Sequence, residues 1–196
     1  MKKISFSLLF VLFSLTTYGQ EFSIGPKIGV SQSNITLSNE DFISGDDSFG
    51  YHVGLFVRMG GNSIFVQPEF LYTNTGGTII QKQANSADIF IDASFDRVDI
   101  PFMFGFKFAQ LFRIQAGPIA SILIDHTIED SNQNPINVDY NSATFGYQAG
   151  LGFDVGNFIL DFKYENSLGK ISNSTNDFAT DQRQNQLIIS AGFRLF

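Results

Sequence analysis

Eight segments of this chain alternate between apolar and polar residues, and this alternation constrains the fold more than any other feature. From residue 22 to 31, Phe22 and Ile28 lie on one parity, whereas Ser23 and Lys27 lie on the other. A period of two is the pattern of a β-strand with two different faces. About ten residues are enough for a tilted strand to cross a bilayer. The same alternation recurs in residues 49–58, 64–72, 97–107, 112–124, 143–154, 158–165 and 186–195.

Charged residues within these segments fall only on the polar parity. A charge that faces lipid at mid-bilayer costs about 2–4 kcal/mol, so the uncharged parity is suited to contact with lipid. A soluble ligand-binding barrel would show the opposite, with its polar side chains outside. We therefore predict a nearly balanced network of ion pairs that fills a lumen. Its predicted members are Lys27, Arg58, Glu69, Arg97, Asp99, Lys107, Arg113, Asp154, Asp161, Lys163, Glu165 and Arg194.

The connections between the segments also alternate, in length. Long polar loops on one side and tight turns on the other are typical of an outer-membrane barrel with both termini on the turn side. The sequence thus predicts an all-β fold, an eight-stranded antiparallel up-and-down transmembrane β-barrel. Loops are predicted near 32–48, 74–95, 125–141 and 169–185, and turns near 59–63, 108–111 and 155–157.

Prolines and the C-terminus raise two further expectations. Pro26, Pro68, Pro101 and Pro118 lie inside predicted strands, where each removes a ladder donor. A closed barrel has no edge to accommodate them, so we expect β-bulges there, with local slips of strand parity. The same period of two places Phe196 on the inward parity, together with Arg194.

The N-terminus has the parts of a secretory signal peptide. Lys2 and Lys3 precede a short apolar run, and small residues follow it up to Gly19. The alternative is a membrane-anchoring or buried N-terminal helix. We predict a signal peptide at residues 1–19 and one barrel domain at 20–196. The chain contains no cysteine, which excludes disulfides and cysteine-based metal sites.

Aromatic residues lie near both ends of the apolar faces, where the interface girdles of a membrane barrel are expected. The alternative is that they are core residues of a soluble fold. Phenylalanine dominates, and tryptophan is absent. The predicted interface aromatics are Tyr51, Tyr72, Phe112, Phe145, Phe158, Tyr164 and Phe193.

The net charge of the chain limits the classes of partner that it can bind. Loss of Lys2 and Lys3 with the signal changes the net charge from −7 to −9, which argues against nucleic acid. Most acids outside the strands lie in the long loops. They are consistent with binding of divalent cations or a basic partner, or simply with solvated loops. No loop has the spaced carboxylates and glycine of a calcium loop, and no cofactor is predicted.

Little in the chain suggests catalysis. Its two histidines are His52, on an inward face, and His126, at the start of a loop. Serine and aspartate lie near each in sequence, but a hydrolase needs a nucleophile, a base and an orienting acid within reach of one another. We therefore predict a chain that is not an enzyme.

Several short motifs resemble those of PorT-like outer-membrane β-barrel proteins, a family common in Bacteroidota. The first is the run Gln67-Pro68-Glu69-Phe70-Leu71-Tyr72, and the second is Val98-Asp99-Ile100-Pro101-Phe102. Ala116-Gly117-Pro118 and Ala149-Gly150-Leu151-Gly152 are the others. The resemblance extends over residues 20–196 and implies the barrel architecture. The member that gives the family its name is associated with protein secretion, a role that we do not transfer to this chain.

Three classes of function remain open at this point. The first, which we favour, is a non-enzymatic barrel embedded in outer-membrane lipid, with loops or a rim that bind an envelope partner. The second is a narrow channel for small solutes, and the third is a lipid-modifying enzyme. The first is favoured because the lumen is predicted to be filled and no catalytic set converges.

Overall fold

A computed structural model describes residues 21–36, 42–44, 48–81, 89–108, 111–130, 143–168 and 183–196. The predicted signal peptide at 1–19 lies outside these residues. Within the described ranges, no helix is long and apolar enough to cross a membrane. The strands are β1 (Glu21–Thr36), β2 (Phe42–Ser44), β3 (Ser48–Gly60), β4 (Ile64–Gln81), β5 (Ile89–Phe108), β6 (Phe112–Asp130), β7 (Ala143–Val155), β8 (Phe158–Ser167) and β9 (Arg183–Phe193).

Eight of these strands form a closed antiparallel barrel, as predicted. Around the barrel the order is β1, β3, β4, β5, β6, β7, β8 and β9, and β9 pairs back with β1. Ile28 in β1, for example, lies opposite Val53 in β3 and opposite Ala191 in β9. Closure leaves these strands without a free edge over the height of the barrel.

The two faces of each strand differ sharply in exposure. Ile28 is 59% exposed on the outside, whereas the preceding Lys27 is 1% exposed in the lumen. Phenylalanines dominate the outer surface, and many of them touch. The rings of Phe158 and Phe193, for example, have centroids 5.1 Å apart. Toward the turn end, the lumen also contains buried apolar side chains, namely Phe56, Phe65, Met103 and Ile159.

The strands run further on the loop side than the sequence predicted. Residues 74–81 and 89–95, predicted as a loop, pair with each other as the outer parts of β4 and β5. Residues 32–36 extend β1, and 125–130 extend β6. The three-residue strand β2 was not predicted either, and it pairs with β4 at Ile79–Gln81. Apolar and polar residues alternate only where one face of a strand contacts lipid. The strands continue to pair beyond the lipid, so they extend further than the sequence pattern.

The predicted bulges at the prolines are absent. Pairing is interrupted between Val57 and Pro68, and between Phe102 and Pro118, but in both ladders it resumes in the same register. Each proline therefore removes a hydrogen bond without shifting the strands. Within the described pairings, the register shifts between β5 and β6 at Asp96 and Arg97, opposite Ile124, well away from any proline.

The expected inward placement of Phe196 is also wrong. The last strand ends at Phe193, so its parity no longer applies to the final residues. Phe196 is 73% exposed. The main chain continues alongside β1 instead, and the Leu195 amide donates to the Ile24 carbonyl at 2.9 Å.

Packing of Phe65 in the lumen depends on the absence of a side chain at Gly105. A Cβ atom added at Gly105 would lie 2.0 Å from Cζ of Phe65, whose ring is buried. We expect Gly105→Ala to lower the free energy of unfolding by about 1–3 kcal/mol through overpacking. Urea titration in lipid vesicles, followed by far-UV circular dichroism, measures it, because the chain has no tryptophan for fluorescence. Adding Phe65→Leu should recover part of the loss, and no recovery would contradict this explanation.

Candidate functional site

The centre of the lumen is a cluster of two lysines and two carboxylates. Lys27 Nζ lies 2.6 Å from Glu69 Oε1 and 2.7 Å from Asp161 Oδ2. Lys163 Nζ lies 3.0 Å from both oxygens of Glu69. All four side chains are almost inaccessible to solvent. Because removing an ion from water costs several kcal/mol, this arrangement is stable only while each charge keeps its partners.

A second group of charges extends this cluster toward the turns. Asp161 also accepts from Arg113, which in turn pairs with Asp154. Arg58 Nη1 donates to Asp154 Oδ2 at 2.8 Å, and the Arg58 guanidinium lies 4.8 Å from the centre of the Phe65 ring. Arg58 therefore combines an ion pair with a cation–π contact at this end of the lumen.

A third group extends the cluster toward the loops through an amide. Lys163 donates to Gln148 Oε1 at 3.1 Å, and Gln148 Nε2 donates to Glu165 Oε2 at 2.7 Å. Arg97 Nη2 then donates to Glu165 Oε1 at 2.8 Å. The Arg97 Nε atom lies 3.0 Å from the Asp99 carboxylate. One continuous network thus runs along the lumen from Arg58 to Asp99.

The network is balanced in charge, and its ten charges lie on seven of the eight barrel strands; the eighth, β9, joins through Gln186, which donates to Glu165. Its five cations are Lys27, Arg58, Arg97, Arg113 and Lys163, and its five anions are Glu69, Asp99, Asp154, Asp161 and Glu165.

Two predicted members are placed elsewhere. Lys107 and Arg194 are only half-buried, near the turn end of the barrel. Arg194 donates to the Gly156 carbonyl in the turn between β7 and β8. The excess of two cations in the predicted set is therefore located at the rim, and the interior itself is neutral.

Sequence reasoning placed the charges on the inward parity but missed the amides that connect them. Gln67 accepts from Arg58 at 2.6 Å and donates to Glu69 at 2.7 Å. Gln115 donates to Asp161 at 2.6 Å, and Gln186 donates to Glu165 at 3.0 Å. Glutamine both donates and accepts, so it can join two groups without changing the net charge. Recurrence of glutamine on the inward parity was the signal that could have identified these residues.

Little free space remains between the lumenal side chains that the structure describes. A cavity on its loop side is lined by Ser31, His52, Thr73, Arg97 and Gln148, among others, and has room for about one water molecule. This is consistent with an eight-stranded barrel, whose interior is just wide enough for side chains to fill it.

The two histidines lie in different surroundings. His52 is buried in the lumen, with Nε2 at 2.9 Å from Ser190 Oγ. Ser121 is buried, whereas Asp125 and His126 are exposed. Among the described residues, no group of three or more histidines and acids is arranged to hold a metal ion. Asp46 and Asp47, close to His52 in sequence, lie outside the described ranges.

All seven predicted interface aromatics lie on the outer surface and are exposed. Phe112 packs edge-on against Phe153 with ring centroids 5.0 Å apart, near the turn end. Tyr72 lies toward the loop end, and its hydroxyl donates to Asp96 Oδ1 at 2.8 Å. Asp96 is the first charge above the apolar part of this face, so Tyr72 lies between apolar and polar surface, as an interfacial tyrosine does.

Removing one shared cation tests how strongly the network holds the barrel. We expect Lys27→Met to lower the free energy of unfolding by about 3–5 kcal/mol, because Glu69 and Asp161 remain buried without it. Lys107→Met is the matched control, and its rim position should limit the loss to about 1 kcal/mol or less. Urea titration of both variants in lipid vesicles measures the difference. Equal losses would contradict a stabilising role for the network.

Comparison with known structures agrees with the barrel. Neisserial surface protein A superimposes with a TM-score of 0.57 at 13% identity, over 90% of this chain and 99% of that one. Ail of Yersinia pestis, in complex with the heparin analogue sucrose octasulfate, gives 0.53 at 19%, over 89% and 99%. OprG of Pseudomonas aeruginosa gives 0.53 at 13%, over 90% and 96%. At these identities the likeness establishes the fold alone.

Sequence comparison identifies the family. No curated protein matches this sequence. The family model described as outer membrane protein beta-barrel domain matches residues 16–173, most of the chain. The chain therefore belongs to the outer-membrane β-barrel domain family and is an integral outer-membrane protein.

Proposed function

We propose that this chain is a non-enzymatic outer-membrane barrel that binds an envelope component through surfaces outside its lumen. The observation that carries the proposal is the filled, charge-balanced interior. Charged side chains from seven strands, and Gln186 from β9, meet there in one network, and the cavity beside them has room for about one water molecule. Such an interior leaves the loops, the rims and the outer wall as the surfaces available for binding.

The same interior argues against the two alternatives. A solute channel would need a continuous aqueous path, and Lys163 on β8 pairs at 3.0 Å with Glu69 on β4, on the opposite side of the barrel. A lipid-modifying enzyme would need a reactive group that a lipid can reach. The His52 and Ser190 pair is buried inside the barrel, separated from lipid by the wall.

The acidic loop side is the surface that we assign to binding. Beyond the inward-facing charges and the predicted signal peptide, the only basic residues in the sequence are Lys82, Lys170 and Arg183. The loop side therefore carries a strong excess of acidic residues. We infer that it attracts a basic segment of an envelope protein, and divalent cations are a second candidate ligand there. The sulfated heparin analogue bound by Ail is a polyanion, and charge repulsion disfavours a ligand of that kind here.

We further infer that the chain is a PorT-like barrel of the type found in Bacteroidota, on the strength of the four motifs. In the structure their conspicuous residues are components of the wall and lumen. Glu69 and Asp99 belong to the network, and Pro68 and Pro101 mark interruptions in ladder pairing. The motifs therefore support a shared architecture, and a secretion role is not proposed.

Cleavage of the signal peptide after Gly19 is part of the proposal. We expect protein from the outer membrane to begin at Gln20, because small residues close the predicted leader there. Intact-mass analysis measures this, allowing for cyclisation of an N-terminal glutamine. A mass that retains Lys2 and Lys3 would favour an uncleaved anchor instead.

Two measurements together test the proposed function. We expect purified protein in a planar bilayer to give no stepwise conductance, with a general porin as the positive control. Pull-down of tagged protein from its native outer membrane in mild detergent should recover a stoichiometric envelope component. Resolved single-channel steps and no partner would overturn the proposal in favour of a channel. A lipid product that is lost on His52→Ala would instead favour an enzyme.

A further inference from the structure

Three of the side chains that line the loop-side cavity of the lumen have an oxygen atom to spare. Ser31, Asp99 and Gln186 are only 2%, 3% and 1% exposed. Ser31 Oγ, Asp99 Oδ1 and Gln186 Oε1 have no hydrogen-bond partner within the part of the chain that the structure describes. A buried acceptor that gives up water without gaining a partner destabilises the folded state. An occupant of this cavity that binds oxygen would remove that cost.

The network itself sets the direction of two of these oxygens. Gln186 Nε2 donates to Glu165 Oε1 at 3.0 Å. Because an ionised carboxylate only accepts, the Gln186 amide keeps this orientation, and its own oxygen faces away from Glu165. Asp99 Oδ2 accepts from Arg97 Nε at 3.0 Å. Asp99 Oδ1 lies equally close to that nitrogen but without the geometry of a hydrogen bond. Bonds made elsewhere in the network therefore leave both oxygens available.

The charges beside this cavity do not cancel. In the loop-side group of the network, Arg97 faces two carboxylates, Asp99 and Glu165. Lys163 also lines the cavity, but both oxygens of Glu69 hold its ammonium group at 3.0 Å. The compensating excess of positive charge lies in the turn-side group, beyond the neutral central cluster. Among the described lumenal residues, the loop-side group thus keeps one negative charge that no neighbour balances.

Size and chemistry together indicate the class of occupant. The cavity has room for about one water molecule. Carboxylate, amide carbonyl and hydroxyl oxygens are the ligands that hard cations prefer. A divalent ion would exceed the single excess charge, and the described residues include no group of three or more histidines and acids arranged to hold a metal. A small monovalent cation matches both the space and the charge.

We propose that the loop-side cavity binds one small monovalent cation, with sodium as the probe, through Ser31, Asp99 and Gln186. Such an ion is a component of the folded barrel, inside its wall. The inference therefore goes beyond the proposed function and does not depend on it. The competing occupant is a water molecule, with a proton on one carboxylate balancing the charge.

Urea titration of the full barrel in phosphatidylcholine vesicles tests for the ion by mass action. Sodium chloride is replaced stepwise by N-methylglucamine chloride, so that ionic strength and screening stay constant. The organic cation is too large for a cavity of this size. Above the dissociation constant of sodium, each tenfold rise in its concentration should lower the unfolding equilibrium constant about tenfold, since one ion binds the folded state. A bound water molecule would give no dependence on sodium.

Two variants locate the ion. Ser31→Ala removes a ligand atom that has no protein partner, so in N-methylglucamine it should unfold much like the wild type. Its dependence on sodium should begin at a concentration about tenfold higher, as expected for the loss of one ligand. Asp99→Asn removes the excess charge and should abolish the dependence.

Each variant has a matched control that should respond to sodium like the wild type. Ser23→Ala removes a hydroxyl from a buried lumenal serine at the turn end, away from the cavity. Asp96→Asn removes a charge from the strand that carries Asp99, but on the outer surface, where Asp96 accepts from Tyr72. The different gel migration of boiled and unboiled protein checks that each variant is folded.

Two results would overturn the inference. Unfolding of the wild type that does not depend on sodium would assign the cavity to water. The same dependence in the wild type and in Asp99→Asn or Ser31→Ala would place the ion elsewhere on the protein. If Asp99→Asn does not fold, the comparison of Ser31→Ala with Ser23→Ala decides by itself.

Discussion

Ion pairing in a lumen with little room for water is the constraint on which the rest of this structure depends. Ten charges are withdrawn from solvent between the strands, and five cations offset five anions. Each pair stabilises the barrel only if its geometry is kept, because the loss of one partner leaves the other buried and uncompensated. The inward-facing side chains therefore hold the barrel together, and the outward-facing side chains contact lipid.

This division of the side chains limits the surfaces that remain for binding. Both faces of the wall over the apolar belt are occupied, one by lipid and the other by the network. The ends of the barrel differ from each other. The turn rim carries Lys107 and Arg194, whereas the loop sequences are rich in acids and the outer parts of β4 and β5 extend beyond the apolar belt. Under the proposed function, binding takes place on these projecting parts, and the barrel holds them at a fixed place in the membrane.

The barrel could be predicted from the sequence because lipid and lumen impose a period of two that is visible residue by residue. Lys27 and Ile28 were placed on opposite faces correctly for that reason. The pattern could not predict which charges pair, since Lys27 and Asp161 are 134 positions apart, nor that glutamines such as Gln148 connect them. It also failed beyond the bilayer, where β4 and β5 continue as polar strands, and at Pro68, where ladder pairing lapses without a bulge.

The sequence separation within the network has a consequence for how the protein assembles. Lys27 of β1 and Glu69 of β4 lie in the first half of the chain, but Asp161 and Lys163, which pair with them, both lie on β8. These ion pairs are therefore completed only when a late strand joins the barrel. A half-built sheet in the bilayer would present unmatched charges to hydrocarbon. Insertion into the membrane should therefore be cooperative, with few stable intermediates. The joining of β9 to β1 completes the neutral interior in the same step that removes the last open edges of the barrel.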